Sequence, residues 1–425
     1  MTLDWRHLKA VVLESDDWGL CAWVPDEPAY QALAETPAFR NPAARAYVRS
    51  TLESAEDVAR LSAVLLEFRG RDGRPPVWQA NTVMATPDFA RLEPQRFECA
   101  TLPLVHYPEV PSRWRRPGMW EAVQRAREAG VWWPELHGLV HLPQVAWLHA
   151  LRAGAPDALR AHGHQCFVCA AVEASAEYDP GEPADVRSCA IAQAVERFRE
   201  RFGRAPASLC APDYRWDERL EADAEALGVT TLQGRSEQMG HRFRRLRHVF
   251  GRMRWRGSRG RRFDMPPRIA FEPRGDAAPG SRLGASAAHR GARAAWGRRQ
   301  PAIVSSHRLN YAHLDPAWAE AGRRALRELL GLLARDGAIF LTDGEARSLH
   351  EHAWSLRPLA DRTALLRYYG APRSRVRIPA PAGAVGSALR EARDDGARSA
   401  LLAIEGGELV ARLDPGEYVV EWRFE

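Results

Sequence analysis

Three short segments carry the residue types that metal-assisted hydrolysis requires. Residues 14–19 read Glu-Ser-Asp-Asp-Trp-Gly, residues 135–141 read Glu-Leu-His-Gly-Leu-Val-His, and residues 303–310 read Ile-Val-Ser-Ser-His-Arg-Leu-Asn. One carboxylate and two imidazoles can hold a divalent cation and leave a position open for water. A second aspartate can then serve as a base and a third histidine as an acid. The segments therefore predict a hydrolytic metal site.

Each segment also has a purely structural interpretation. Ser15 and Asp16 are typical of a turn with a helix cap. The chain has 14 histidines, so pairs at this spacing arise by chance. A lone histidine after a strand, such as His307, is often a packed core residue. The metal site is favoured because all three segments follow predicted strands.

Apolar runs alternate with helical patterns along most of the chain. We predict strands at 10–14, 76–83, 131–137, 207–211, 229–233, 302–306 and 338–342, and helices at 119–129, 189–202, 217–227 and 316–336. This alternation predicts an α/β fold with a parallel sheet, and the number of units favours closure into a barrel. Active sites of such folds lie at the carboxyl ends of the strands, where the three segments fall.

The composition changes at two places along the chain. Residues 240–298 are rich in Arg, Gly and Pro, which indicates an insertion within a barrel unit of residues 1–350. Residues 351–425 are predicted to form a linker and a small antiparallel β module, because short alternating segments are separated by turn signals. We expect one helix in this module, at 386–393.

The order of these motifs resembles the polysaccharide deacetylase (NodB-homology) superfamily, whose members are distorted (β/α)7-type barrels. The resemblance covers about residues 8–350 and is nearest to an uncharacterised bacterial subgroup. The matching residues are the Asp16-Asp17 pair, His137 with His141, His307, and the stretch Cys210-Ala-Pro-Asp-Tyr214, which is similar to a motif that normally reads Arg-x-Pro-Tyr.

The resemblance implies a metal-dependent hydrolase that removes an acyl (acetyl) group from a small or oligomeric carbohydrate or related polar substrate. It implies one divalent metal ion, for which we expect Zn²⁺, and a backbone N–H near Tyr214 that helps to hold the oxyanion. The implied ligands are Asp17, His137 and His141, the catalytic residues are Asp16 as base and His307 as acid, and the substrate-binding residues are Trp18, Tyr214, Arg308 and Asn310.

Two positions depart from the pattern of the superfamily. Cys210 stands where the motif arginine that pairs with the base is expected, and Arg215 or Arg308 are candidates to replace that arginine. Gly138 stands where Ser or Thr normally follows the first metal histidine. The missing arginine and the added C-terminal β module keep a second hypothesis open, in which a catalytically weakened barrel binds glycans or assembles with partners.

The basic composition is weak evidence for an anionic partner. The net charge is +6, but Lys9 is the only lysine among 60 basic residues, a skew that looks like codon bias. The block from Arg242 to Arg262 holds ten arginines with aromatic residues between them. This interleaving is the basis of a third hypothesis, a nucleic-acid-associated protein, although a solvated loop explains it equally.

The remaining features concern compartment and cysteines. No apolar run approaches the roughly 18 residues of a membrane span, so we expect no membrane partner. No secretory signal is visible at the N-terminus, and six cysteines do not form a disulfide framework, so we expect a cytoplasmic protein. The segment from His162 to Cys169 is compatible with a structural zinc or with core packing.

Overall fold

The computed structural model defines an α/β fold built on a curled, mostly parallel sheet, followed by an antiparallel sheet near the C-terminus. This is the predicted fold class, a distorted barrel with a β module. The structure describes residues 3–92, 101–170, 172, 176–235, 238, 255–275, 281–360, 362–392 and 400–424.

The helices cover the outside of the curled sheet. They are α1 (Trp5–Leu8), α2 (Glu27–Leu33), α3 (Pro37–Arg40), α4 (Ala55–Leu66), α5 (Met119–Glu128), α6 (Gln144–Arg152), α7 (Pro156–Gly163), α8 (Ala184–Phe202), α9 (Glu218–Ala226), α10 (Ala285–Gly297), α11 (Pro316–Arg335) and α12 (Asp343–His352).

The strands of the barrel follow the order β10, β11, β1, β2, β5, β6, β7, β9, β8, with β12 also paired to β1. All these pairs are parallel except β8 with β9. The strands are β1 (Ala10–Trp18), β2 (Trp78–Thr82), β5 (Trp132–Leu136), β6 (Ser208–Leu209), β7 (Thr231–Leu232), β8 (Ser258–Arg259), β9 (Arg262–Asp264), β10 (Arg268–Ala270), β11 (Ala302–His307) and β12 (Ile339–Leu341), and a separate hairpin pairs β3 (Ala85–Pro87) with β4 (Leu104–His106).

The central strand β1 runs from the core of the barrel to its carboxyl edge. All nine of its residues are buried, as expected for a parallel strand covered on both faces. Its apolar half, Ala10 to Leu13, packs in the core, and its polar half, Glu14 to Asp17, reaches the carboxyl edge. Strand β11 runs in register beside it, with Asp16 opposite His307.

Helix ends follow the signals in the sequence. Asp217 caps α9 by accepting a hydrogen bond from the backbone N–H of Leu220. Gly203 ends α8 in the left-handed conformation, with φ of +70°, and Gly337 has φ of +77° just after α11. These ends set the lengths of the turns that lead into the strands.

Strand β10 and helix α10 fall within the range 240–298, which the sequence marks as an insertion. Strand β10 pairs with β11 in the barrel sheet, and α10 packs against β11 and α11. This range thus contributes to the barrel. Most of the arginine block, residues 241–254, lies outside the described residues, so the hypothesis of nucleic-acid binding stays a prediction.

The antiparallel sheet follows α12 directly. Its strands are β13 (Trp354–Ala360), β14 (Thr363–Tyr368), β15 (Ser374–Pro379), β16 (Ala384–Glu391), β17 (Ala400–Glu405), β18 (Glu408–Leu413) and β19 (Gly416–Phe424). The helix predicted at 386–393 is wrong, because β16 occupies most of that range. Pairing with β17 and β19 on both sides overrides the local preference of its alanines.

The segment from His162 to Cys169 packs in the core. Cys166, Phe167, Val168 and Cys169 are all buried in the main hydrophobic cluster. Among the described residues, neither cysteine belongs to a group that could hold a metal ion. The packing interpretation of this segment is therefore the one that the structure supports.

No helix among the described residues is both long and apolar enough to pass through a bilayer.

A buried ion cluster joins the antiparallel sheet to the barrel. Arg367 on β14 is fully buried and pairs with Asp72, which precedes β2, at 2.7 Å and with Glu345 on α12. Arg357 on β13 lies 3.6 Å from Glu345. Two carboxylates in the interior therefore depend on cations that the β module supplies.

We expect Arg367→Met to destabilise the protein by about 3–5 kcal/mol, because it leaves Asp72 and Glu345 buried without their shared cation. Urea unfolding monitored by fluorescence measures this loss. Arg375→Met is the matched control: Arg375 is exposed and pairs with exposed Glu405, so its loss should cost below about 1 kcal/mol. Equal losses in the two variants would contradict a cation-dependent interface.

Candidate functional site

Three side chains from two neighbouring parts of the barrel edge converge on one point. Asp17, at the end of β1, has Oδ1 3.3 Å from Nε2 of His137 and 3.4 Å from Nε2 of His141. Both histidines follow β5, and their ring centroids lie 4.9 Å apart. All three are buried. The structure thus brings together the three residues that the sequence predicts as metal ligands.

The hydrogen bonds of these side chains fit a bound cation. Nδ1 of His137 lies 2.8 Å from the carbonyl oxygen of Cys210, so Nδ1 carries the proton. In the neutral ring, the lone pair on Nε2 then faces an oxygen of Asp17. Two lone pairs facing each other in a buried site repel unless a cation lies between them. The donor set therefore suits a divalent metal ion.

Asp17 supplies the negative charge of this group. Burial alone would raise its pKa, but where protons on Nε2 of His137 and His141 take the place of an ion, their hydrogen bonds outweigh burial and hold the pKa of Asp17 well below its ordinary value. Its backbone is left-handed, with φ of +74°. A strained backbone at a converging side chain is common at functional sites.

A second group of potential ligands, Asp16, His137 and Cys210, shares one histidine with the first. Burial raises the pKa of Cys210 well above its ordinary value, so its thiol stays protonated. Its Sγ donates to Asp16 at 3.8 Å. Because thiolate is the form that binds metals, the group of Asp17 and the two histidines is the better metal site.

A buried carboxylate shapes the loop that carries both histidines. Glu177 accepts hydrogen bonds from the backbone N–H groups of Leu139, Val140 and His141, at 3.0 to 3.3 Å. Gly138 has φ of +88°, and a Cβ there would lie 2.3 Å from Oε2 of Glu177. The glycine that departs from the superfamily pattern is thus required by this carboxylate.

A second buried carboxylate holds the loop after Asp17. The backbone N–H of Gly19 donates to Glu53 at 3.0 Å. Glu53 also pairs with Arg308, which in turn donates to the carbonyl of Leu20 at 2.8 Å. Arg308 is therefore a buried residue that stabilises the loop after Asp17, and it does not line the cavity.

The predicted base, Asp16, is held by an arginine from an unexpected strand. Arg268 on β10 donates from Nη1 to Oδ2 at 2.6 Å and from Nη2 to Oδ1 at 3.1 Å. Asn81 on β2 donates to Oδ1 at 2.6 Å. Burial alone would raise the pKa of Asp16, but Arg268 above all lowers it well below its ordinary value.

Arg268 therefore stands where the superfamily arginine is missing. Of the two candidates named from the sequence, Arg308 pairs with Glu53, and Arg215 pairs with Asp179 and Asp213. Neither of those arginines pairs with Asp16. The prediction that one of them replaces the motif arginine is wrong, because β10 brings a different arginine to the base.

His307 lies on the other side of Asp16, with Nε2 3.8 Å from Oδ2. Its Nδ1 donates to Glu272 at 2.6 Å. Burial opposes the charged ring, but Glu272 outweighs burial and raises the pKa of His307 to about 10. Asn310 donates to the other oxygen of Glu272 at 2.6 Å. His307 is thus a protonated imidazolium at neutral pH.

The four residues predicted to bind substrate have different locations. Tyr214 lines the cavity, and its hydroxyl accepts a hydrogen bond from Arg268 at 2.6 Å. Its backbone N–H donates to the carbonyl of Ala211 at 3.0 Å, so that group is already used. Trp18 is buried against Trp132, and the structure does not bring Trp18, Arg308 or Asn310 to the cavity.

A cavity of about 530 Å³ opens over this site. Its floor is formed by the candidate ligands Asp17, His137 and His141 together with Asp16, His307 and Tyr214. Residues of the segment between β1 and α4 form much of its wall. Trp23 and Tyr47 stack there at 5.9 Å between ring centroids, and Tyr47 meets the ring of His307 edge-on at 6.1 Å. The other apolar wall residues include Leu20, Pro37, Ala38, Val168 and Val172.

Arg268, Glu272 and Glu177 are functional residues that sequence reasoning missed. Arg268 and Glu272 fall in the range taken as an insertion, where the only signal is the short apolar run between them. Glu177 lies in a loop with no motif. Each acts through a partner distant in the chain, so spacing in the sequence could not reveal it.

Comparisons with known proteins give similarities of structure alone. No protein-family model and no curated protein matches the sequence. The structure is similar to a protein assigned as a polysaccharide deacetylase from Mycobacterium smegmatis, with 12% identity and a TM-score of 0.39 over 80% of this chain and 90% of that one.

Two further solved structures are similar at comparable levels. One is a mutant of a CE4 family pseudoenzyme with restored enzymatic activity (9% identity, TM-score 0.33, 80% of this chain and 68% of that one). The other is Agd3, a carbohydrate deacetylase (10% identity, TM-score 0.41, 97% of this chain and 65% of that one). These identities are too low to transfer an activity, so the chemistry must come from the side chains of this chain.

We expect Gly138→Ala to weaken metal binding by about 10- to 100-fold, because the new Cβ displaces Glu177 from the loop that carries both histidines. Competition titration with a chromogenic chelator measures the affinity. Gly130→Ala is the matched control, because Gly130 also has positive φ but has nothing within 4 Å of the added Cβ. Unchanged affinity in Gly138→Ala would contradict the role of Glu177.

Proposed function

We propose that the chain is a metal-dependent hydrolase that removes an acyl (acetyl) group from a carbohydrate or related polar substrate. The observation that carries the proposal is the convergence of Asp17, His137 and His141 beside a separately held carboxylate, Asp16, and a protonated His307. Ligands, base and acid all line one cavity. This arrangement suits attack by water on an acyl carbonyl.

Asp17 and the two histidines would hold the metal ion, for which the mixed carboxylate and imidazole donors favour Zn²⁺. When bound, the ion would polarise the acyl carbonyl and lower the pKa of a water molecule in the cavity. Asp16 would take the proton from the attacking water. Because Arg268 keeps Asp16 ionised, the carboxylate is in the correct form at neutral pH.

His307 would give its proton to the leaving amine or alcohol. Its proton is retained at neutral pH because Glu272 stabilises the charged ring. Glu272 also fixes the orientation of the ring through Nδ1, so that Nε2 points into the cavity side of the site. The hydroxyl of Tyr214, which already accepts from Arg268, is placed to donate to a substrate oxygen.

The wall beside His307 supports a leaving group with an apolar face. Trp23 and Tyr47 form a stacked aromatic surface next to the acid, and pyranose rings pack their C–H faces on such surfaces. The sugar side of the substrate would therefore lie on Trp23 and Tyr47. A pyranose ring has such an apolar face, so this wall is consistent with the proposed carbohydrate substrate.

The second hypothesis, a weakened glycan-binding barrel, rests on the missing motif arginine and on the added β module. Arg268 supplies a guanidinium to Asp16 through two hydrogen bonds, which removes the first of these grounds and leaves the second untested. The cytoplasmic location stays a prediction from the sequence, and nucleic-acid binding stays the third, less favoured hypothesis.

We expect His137→Ala to abolish both metal binding and turnover, because it removes one of three ligands. Elemental analysis of the purified protein and hydrolysis of acetylated sugars measure the two effects. His149→Ala, an exposed histidine on α6, is the matched control and should keep both. Turnover that persists after complete metal loss would refute the proposed function.

We expect Glu272→Gln to move the alkaline limb of the pH–rate profile to lower pH. Glu272 raises the pKa of His307, so its neutral replacement lets the imidazolium lose its proton earlier as the pH rises. The profile of kcat/KM for a chromogenic acetyl ester measures the limb. A profile with an unchanged alkaline limb would exclude His307 as the acid.

A further inference from the structure

Beneath Asp16, the interior of the barrel holds two more carboxyl groups that the proposed mechanism does not use. Glu14 on β1 and Asp343 at the start of α12 are both buried. Oε2 of Glu14 accepts from Nε of Arg268 at 2.5 Å, and Oδ2 of Asp343 accepts from Gln79 at 2.8 Å. Each carboxyl group thus has one oxygen accounted for.

The second oxygen of each group has no well-aligned donor from the described residues. Oε1 of Glu14 and Oδ1 of Asp343 are buried polar atoms without a well-aligned donor. The two carboxyl groups contact each other, and the hydroxyl of Ser208 also hydrogen-bonds to the Asp343 carboxyl group. Two ionised carboxylates in such contact would repel each other strongly in the interior. A single proton between them would satisfy both oxygens.

We propose that Glu14 and Asp343 share one proton in the folded protein. Because this proton neutralises Glu14, Asp16 becomes the main anionic partner of Arg268. Arg268 is the cation for three carboxyl groups. With Glu14 neutral, the guanidinium has one strong anionic partner, which is Asp16. The pair is a positioning device that acts on Asp16 through Arg268.

The surroundings of the pair favour retention of the proton. Burial raises the pKa of Glu14 well above its ordinary value, with Arg268 opposing and Asp343 and Asp16 adding to the rise. Burial also raises the pKa of Asp343. Glu135 on β5 adds a further carboxyl charge nearby. The proton therefore belongs to the pair as a unit.

Glu14→Gln tests the proposal because glutamine imitates a protonated glutamate. Its amide oxygen can accept from Arg268 and its amide N–H can donate to Asp343, so the fold is retained. We expect the infrared difference spectrum of wild type minus variant at neutral pH to contain a protonated-carboxyl band, because carboxyls present in both proteins, such as Glu177, cancel in the difference. Glu421→Gln, at an exposed glutamate on β19, should give no such band in its own difference spectrum.

The pH dependence of stability gives a second measurement. Unfolded Glu14 loses its proton near its ordinary pKa of about 4.3, whereas the folded pair keeps it. Raising the pH above that value therefore destabilises folded wild type more than it destabilises Glu14→Gln. We expect the melting temperature of the variant to rise relative to wild type between about pH 5 and about pH 8.

Asp343→Asn supplies an independent variant. Its amide N–H can donate to Glu14 while its oxygen accepts from Gln79, so Glu14 no longer shares a proton with a carboxylate and ionises against Arg268. We expect the same infrared band in the difference spectrum of wild type minus this variant. A difference spectrum of wild type minus Glu14→Gln without the band would overturn the proposal.

A pH-independent difference in melting temperature between wild type and Glu14→Gln would also overturn it. These measurements need no substrate, so they stand whether or not the proposed hydrolysis is found. Only the consequence for Asp16 rests on the proposed function.

Discussion

The pairing of Arg268 with Asp16 is the interaction on which the site depends. A carboxylate that is removed from water loses its charge unless a cation compensates for the lost solvation. Arg268 supplies that compensation from β10 and is itself fixed by Gln233 and Tyr214 at 2.6 Å each. Asp16 can therefore be both buried and ionised.

Buried carboxylates also hold the backbone of the two loops beside the candidate metal ligands, which are Asp17 after β1 and His137 and His141 after β5. Glu177 collects the N–H groups of the loop after β5, and Glu53 holds Gly19 after β1. Such hydrogen bonds replace water for backbone groups that have no strand partner. The left-handed backbone of Asp17, Gly138 and His141 is the result, and it aims the three ligand atoms at one point.

The sequence predicted the fold and the grouping of the candidate site residues, because both depend on local patterns. Apolar runs with glycine stops marked the strands and helices, and Asp17 and His137 stand directly where strands end. The groups that tune them could not be predicted. Arg268 and Glu177 meet their partners across sequence distances that only the folded chain brings together, and the helix prediction for β16 is wrong because its strand pairing is equally non-local.

The antiparallel sheet meets the barrel at the end opposite the cavity. Its residues Tyr369 and Glu417 face Leu8 and Arg71, which precede β1 and β2, whereas the cavity lies after the ends of those strands. The ion cluster around Arg367 fixes it there. It therefore cannot serve as a lid over the site, and the mouth of the cavity stays open on the opposite side of the barrel from this sheet.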